Sequence, residues 1–277
     1  MHRIVWWLIV LVGLALLALI IYNAIGPPEQ RVVVRSPLAT KPAPRDLPAE
    51  PEVRHPVPEV PVEKPLPALQ SSDAAMKDSL AELLGDSALV ERAVLKDFVR
   101  HVVVTIDNLP RRTAAPRVWP LKPAPGQFKV NGKDERLTIA TGNSARYAVY
   151  VRLVEAIDGA KVAAFYFHYY PLFQQAYRDL GYPKGYFNDR LVEVIDHLLE
   201  TPDVREPVAL VRPKVFYQYA DPDLESRSAG QKILMRIGAE NARRIKAKLR
   251  EIRGEIASRP APNPKSEGAG QKNPANG

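Results

Sequence analysis

The chain of 277 residues contains no cysteine. Disulfides, thiolate metal sites, cysteine nucleophiles and lipid attachment through a thiol are thereby excluded. No compartment follows, since many proteins of oxidising compartments also lack cysteine. Short catalytic motifs are absent too. There is no GxSxG elbow, Walker loop, GxGxxG fingerprint or HExxH pair, and no serine stands beside an evident base. The commonest routes to acyl transfer, nucleotide hydrolysis, dinucleotide binding and zinc hydrolysis are removed, although an enzyme of another kind is not. Strand signals are scarce. Before residue 208 the one good candidate is FKVNGKDERLTI, a hairpin about the turn Asn131-Gly132.

Proline is abundant, with 27 residues, and unevenly placed. The formal net charge is +8, from 39 basic and 31 acidic residues, and the isoelectric point is about 9.6. Because the two signs are well mixed, this balance reads as a mildly basic solvated surface rather than as a nucleic-acid footprint.

One long apolar run is present. From Ile4 to Ile25 no side chain is charged, and about 22 residues rising about 1.5 Å each span roughly the 30 Å of a bilayer core. A secretory h-region is shorter, about 7–15 residues. Ala24-Ile25-Gly26 has the small residues of a cleavage site, but Pro27 and Pro28 follow at once. Trp6, Trp7 and Tyr22 sit near the ends, where interfacial aromatics belong. The run reads as an uncleaved anchor in the bilayer. Arg3 on one side and Arg31 and Arg35 on the other leave the positive-inside count against an outside C-terminus. The arrangement of basic start, single span and long proline-rich segment favours a periplasmic domain on a bacterial inner membrane.

The expected organisation is an anchor over 1–26, a proline-rich disordered linker over 27–70, a mostly helical globular domain over 71–257 and a disordered tail over 258–277. The linker reads as an extended spacer. The domain is expected to be mainly α with one small β-hairpin. Ser71-Ser72-Asp73 supplies caps for a helix carrying Met76, Leu80, Leu83 and Leu84, stopped by Gly85. A second helix is predicted from about Ser87 to Asp107, with Val90, Val94, Phe98 and Val102 in one stripe. After Asn143 comes a helix with Tyr147, Val151 and Val154, then an aromatic-rich one that Pro171 should kink or divide and Gly181 should end. NDRLVEVIDHLLETP is a further helix, capped by Asn188 or Asp189. Val208–Tyr219 is ambiguous, with Val215, Tyr217 and Tyr219 alternating as in a short strand. Two last helices are predicted, over about Asp223–Ile237 and Glu240–Ile256, separated by Gly238.

The candidate binding patch is Tyr182, Tyr186, Asn188, Asp189 and Arg190, polar and aromatic groups where a loop meets a helix start. The plain alternative there is a capped helix with tyrosines packed beneath. A second candidate is the basic stripe of the last helix, Arg243, Lys246, Arg250 and Arg253, which suits anionic headgroups or an acidic partner. Nucleic acid is the least favoured partner of that face. Glu193, Asp196 and His168 would be the acid–base groups of an envelope-polymer hydrolase if folding brought them together. Asp189, Glu193, Asp196 and Glu200 otherwise read as the solvated side of an amphipathic helix. DPDLE, Asp221–Glu225, has the carboxylate spacing of a calcium loop, but Ser226 and Lys232 stand where glycine and glutamate are needed. Asp221 and Asp223 then serve as helix caps. No catalytic residue, metal or cofactor is expected.

Three stretches, VVVTIDNLPR, FQQAYRDLGYPKGYFNDRLVEVIDHLLETP and SAGQKILMRIGAENARRIKAKLREIR, resemble a family of uncharacterised bacterial membrane-anchored proteins, the domain of unknown function numbered 3014. The resemblance covers roughly Ser71 to Ile256. It implies a bacterial origin and an envelope location, and it carries no activity and no catalytic residues. The sequence taken whole points to a binding or scaffolding domain of the cell envelope, with an envelope protein or peptidoglycan as partner. A cytoplasmic-facing regulator acting through the basic helix is the remaining alternative.

Overall fold

The computed structural model describes residues 52–59, 65–84, 93–133, 136–155 and 158–257. The expected anchor, most of the spacer and the tail lie outside the described residues. Among the described residues no helix is long and apolar enough to cross a membrane.

The domain is mainly α. Helix α1, Asp73–Leu84, buries Met76 and Leu80 completely. Its cap differs from expectation. The Ser72 hydroxyl donates to the carbonyl of Leu69. The Asp73 carboxylate instead accepts the backbone N–H groups of Asp97 and Phe98, at 2.9 and 3.2 Å, so it caps the next helix from a distance. That helix, α2, Phe98–Asn108, starts later than its apolar spacing predicts. Asp97 sits at φ 52°, in the left-handed region, and Val94 donates its N–H to Pro120 beside an Ala93–Leu121 bridge. Val94 is therefore not on the helix, and residues 85–92 lie outside the described ones.

Helix α3, Gly142–Glu155, buries Tyr147, Val151 and Val154 as one stripe. Helix α4, Gly159–Asp179, runs on through Pro171 and is not divided. Proline removes one hydrogen bond within a helix. Here Tyr169, Tyr170, Leu172 and Phe173 on both sides of it are buried, which keeps both turns packed in the core. Gly181, at φ 118°, takes the chain out of the helix. Helix α5, Phe187–Leu199, turns Leu191, Val194, Ile195 and Leu198 inward.

The predicted helix over 223–237 is two. Helix α6, Pro222–Ser226, is capped by Asp221, whose carboxylate accepts the Asp223 N–H at 2.8 Å. Arg227 is extended, and the Ser228 hydroxyl caps α7, Ala229–Arg236, through the Gln231 N–H. Serine makes that local bond more readily than it continues a helix. Gly238, at φ 93°, then turns the chain into α8, Ala239–Ala257.

Helix α8 is the hub, packing on α3, α4, α5 and α7. Arg244 pairs with Glu155 of α3, and Arg253 grips Asp196 of α5 by two bonds. The aromatic centre is Tyr166, Phe173 and Phe187; the two phenylalanine rings lie 6.1 Å apart and near-parallel. Burying such side chains contributes about 1.5–3 kcal/mol each.

The expected hairpin is present and belongs to a larger sheet. Strands β1, Val130–Asn131, and β2, Leu137–Ile139, pair antiparallel. Gly132, at φ 88°, cannot be replaced without moving the backbone, because a Cβ there would lie 1.9 Å from the Arg136 carbonyl oxygen. The ambiguous segment supplies β3, Ala209–Val211, and β4, Gln218–Tyr219. The order is β1-β2-β3-β4, all antiparallel. This sheet closes a second, smaller core of Val208, Leu210, Tyr219 and Met235.

Candidate functional site

The loop between α4 and α5 is built on Gln174. Its side-chain carbonyl accepts the Phe187 N–H at 2.8 Å and the Tyr170 hydroxyl at 2.7 Å, while its amide donates to the Gly185 carbonyl at 2.8 Å. A neighbouring helix thus serves the first N–H of α5. The residue preceding α5, Tyr186, makes no side-chain cap bond, and neither Asn188 nor Asp189 caps the helix as predicted. Both are freed for other partners.

Those partners come from the segment expected to be spacer. Residues 52–59, EVRHPVPE, lie along the start of α5 and the end of α8. Asp189, only 8% exposed, accepts the backbone N–H of Arg54 at 3.0 Å on one carboxylate oxygen and that of His55 at 2.7 Å on the other. The Tyr186 hydroxyl accepts the Val57 N–H at 2.8 Å. Pro56 and Pro58 have no N–H to offer. Every backbone donor from residue 54 to 58 is therefore met by the site. In the other direction the Asn188 amide donates to the His55 carbonyl at 2.8 Å and to the Ile256 carbonyl at 3.0 Å, and the His55 ring lies 3.3 Å from the Ala257 carbonyl. Asn188 thereby joins three pieces of chain. With both its N–H bonds on carbonyls, its own carbonyl is left buried without a partner among the described residues. The Tyr166 hydroxyl behind it is likewise buried and unpaired, and burial drives its pKa well above the usual phenol value. Tyr170 is raised by burial too, with Tyr186 beside it adding to the effect.

The other half of the predicted patch turns elsewhere. Arg190 donates from Nε to one carboxylate oxygen of Asp107 at 3.1 Å and from a terminal nitrogen to the Asp107 backbone carbonyl at 3.0 Å. Tyr182 and Arg111 donate to the second oxygen, at 3.2 and 2.6 Å. The Asp107 side chain is 3% exposed. Tyr182 stacks on Tyr177 at 4.5 Å, and burial pushes the Tyr177 hydroxyl up to about 12. This cluster ties α2 to α5. The five predicted residues thus divide, with Tyr186, Asn188 and Asp189 holding the 52–59 segment and Tyr182 and Arg190 holding Asp107. Sequence reasoning missed Asp107, Gln174 and the segment itself. The proline spacing of that segment was legible, but not the docking.

The basic stripe is largely spent within the fold. Lys246 is buried against the Thr201 carbonyl and Asp203, Arg253 is bound to Asp196, and Arg243 pairs with Glu240 on the surface. The bond to Asp196 raises the Arg253 pKa further. Arg250 alone of the four has no ion pair among the described residues. The hydrolase candidates do not converge. Glu193 pairs with Arg190 and is 54% exposed, Asp196 faces Arg253, and His168 stands on α4 with its ring edge against Tyr169. Two small hollows in the fold, beside Asn143 and Arg236 and beside Pro202 and Leu234, include none of the three. His197 lies 2.8 Å from the Ser228 hydroxyl, and burial lowers its pKa. That hydroxyl is engaged in capping α7. The DPDLE carboxylates are also used internally: Glu225 accepts the Tyr219 N–H and pairs with Lys232, the residue at the twelfth loop position.

A family model described as "Protein of unknown function (DUF3014)" matches residues 98–253. The match takes in α2 to most of α8, and with them Asp107, Tyr186, Asn188 and Asp189. No curated protein and no solved structure matches the chain.

Proposed function

The chain belongs to the DUF3014 family, which has no assigned activity, and we propose that its helical domain is a binding or scaffolding module that grips short chain segments by their backbone groups. The observation that carries this reading is the use of Tyr186, Asn188 and Asp189 on backbone groups of residues 54–57. A carboxylate spanning the two successive amides of the bend at Arg54 and His55 recognises main chain rather than a side chain. Charge assistance makes such bonds the stronger kind.

The uncharged run of residues 4–25 and the proline-rich stretch after it support placing this module on a bacterial inner membrane. The domain then faces the periplasm, with an envelope protein or peptidoglycan as its partner. Two experiments test this. Protease should cut the domain in spheroplasts without lysis; protection until lysis would put it in the cytoplasm. Crosslinking in intact cells should capture envelope partners with the native chain and lose them in a folded Asn188→Ala/Asp189→Ala variant. Undiminished capture would remove the site from the function.

A further inference from the structure

We propose that the turn between β3 and β4, residues 212–217, is a second membrane contact of the chain, docking on anionic lipid headgroups with Val215 and Phe216 entering the interface. The proposal rests on the reading that residues 4–25 hold the chain in a bilayer, and it names the face of the domain that meets that bilayer.

Three observations carry it. The first is where apolar surface is left open. Of the five large apolar side chains most exposed among the described residues, Val211, Val215 and Phe216 fall in one short stretch, with Val215 at 66%. The small core beside them takes in Leu210, Tyr217 and Tyr219, but neither Val215 nor Phe216. Residues 211–216 are all exposed, so the turn projects rather than lining a groove. A projecting apolar tip suits a soft surface better than a shaped partner.

The second observation is charge. From Pro207 to Ala220 the chain carries Arg212 and Lys214 and no acidic residue, and both cations are exposed. Glu206, Asp221 and Asp223 stand at the opposite end of the sheet, before β3 and after β4. The β1–β2 turn shares the end with the tip, since Leu137 pairs with Leu210. It presents Lys133 and Arg136, exposed, while Asp134 and Glu135 between them lie outside the described residues. Cations around an apolar tip complement a surface of anionic headgroups over acyl chains.

The third is that the turn meets its own backbone needs. Arg212 donates from Nε to the Val215 carbonyl at 3.2 Å, and its guanidinium lies 5.3 Å from the centre of the Tyr217 ring. Pro213 has no N–H to satisfy. A turn so braced gives up fewer bonds to water when it enters the interface.

Because the chain has no cysteine, Val215→Cys supplies one thiol for an environment-sensitive nitrobenzoxadiazole label. The labelled full chain is reconstituted in vesicles of phosphatidylglycerol and phosphatidylcholine in equal parts, and in phosphatidylcholine alone. Lys184→Cys, exposed in the α4–α5 loop, carries the control label. That loop leads to the site of the strap formed by residues 52–59, at the C-terminal end of α8, whereas the sheet core includes Met235, just before α8 starts. In the mixed vesicles the label at 215 should shift to the blue, brighten at least about twofold and be quenched by spin-labelled lipid, as an interfacial contact requires. The label at 184 should not change. Lys214→Gln should weaken docking about fivefold, the share of one cation near an anionic surface, and about 0.5 M salt should release the tip. A label at 215 that stays dim in chain retained by the vesicles overturns the tip contact and leaves the anchor standing. Equal brightening at both positions, or the same brightening in phosphatidylcholine alone, also overturns it. Chain that does not stay with either kind of vesicle overturns both readings.

Discussion

Two aspartates flank the start of the same helix, and they are used in opposite ways. Asp107 is enclosed by Arg190, Arg111 and Tyr182, all side chains of the domain. Asp189 accepts two amides of a segment more than 130 positions away in sequence. The first arrangement matches side chain to side chain and fixes how α2 meets α5. The second matches a carboxylate to backbone, so it reads the shape of a bend in the main chain and is indifferent to most of its side chains. Burial alone does not separate them, for both are almost inaccessible. What a buried carboxylate faces, rather than how deeply it lies, tells packing from recognition.

The contrast can be broken most sharply at Asp107. An Asp107→Ala chain should lose about 3 kcal/mol of stability, because the Arg190 guanidinium loses its enclosed carboxylate and keeps only the exposed Glu193 and the backbone carbonyl of residue 107. Denaturant unfolding measures it, and a loss below about 1 kcal/mol would show the cluster to be dispensable. Asp189→Ala should instead cost about 1–3 kcal/mol and do so locally. Its signature is faster hydrogen exchange at the Arg54 and His55 amides with the α2–α5 core unchanged; a global rise in exchange would merge the two aspartates into one role. Tyr186→Phe removes one bond, to Val57, and should cost about 0.5–1.5 kcal/mol, seen in exchange at that amide alone.

The smallest effect is that of pH, and it should touch both aspartate sites equally. Burial lowers the pKa of His101 and His197 from the ordinary 6.5. The unfolded chain therefore takes up protons there before the folded one does. Their contribution is whole above pH 6.5 and is lost as the pH falls through the folded values. Melting temperature should drop between pH 7.5 and 5.5, by similar amounts in the native and Asp189→Ala chains, and by less in His197→Gln. A drop confined to the native chain would mean the strap, not the histidines, is the sensitive part.

Much of the bundle was legible because helical spacing is a local signal. Tyr147, Val151 and Val154 form a buried stripe, as do Leu191, Val194, Ile195 and Leu198. The errors fall where a distant group intervenes. The start of α2 was misplaced because Asp73 caps it from another helix. One helix became two at Ser228 because a side-chain bond outweighed propensity. The four-stranded sheet escaped because its strands have two or three residues each and pair across about 70 positions, as Leu137 does with Leu210. Tyr186, Asn188 and Asp189 meet on the 52–59 segment, and polar and aromatic groups at a helix start are visible in sequence. Their ligand was not, because no local pattern says that a proline-rich stretch will dock. The basic stripe shows the converse. Its spacing is plain in the sequence, and only the fold reveals that Lys246 and Arg253 are already engaged.

The strap also decides where a load enters the domain. A pull along the chain from before residue 52 does not reach Leu69 or α1 first. It arrives at Asp189, where the Arg54 amide bears it, then His55, then Val57. Release of these three passes the load on to Leu66 and Leu69, which pack in the core. Every helix is still intact at that point, so the polar contacts at α5 set a yield point below the strength of the fold they decorate.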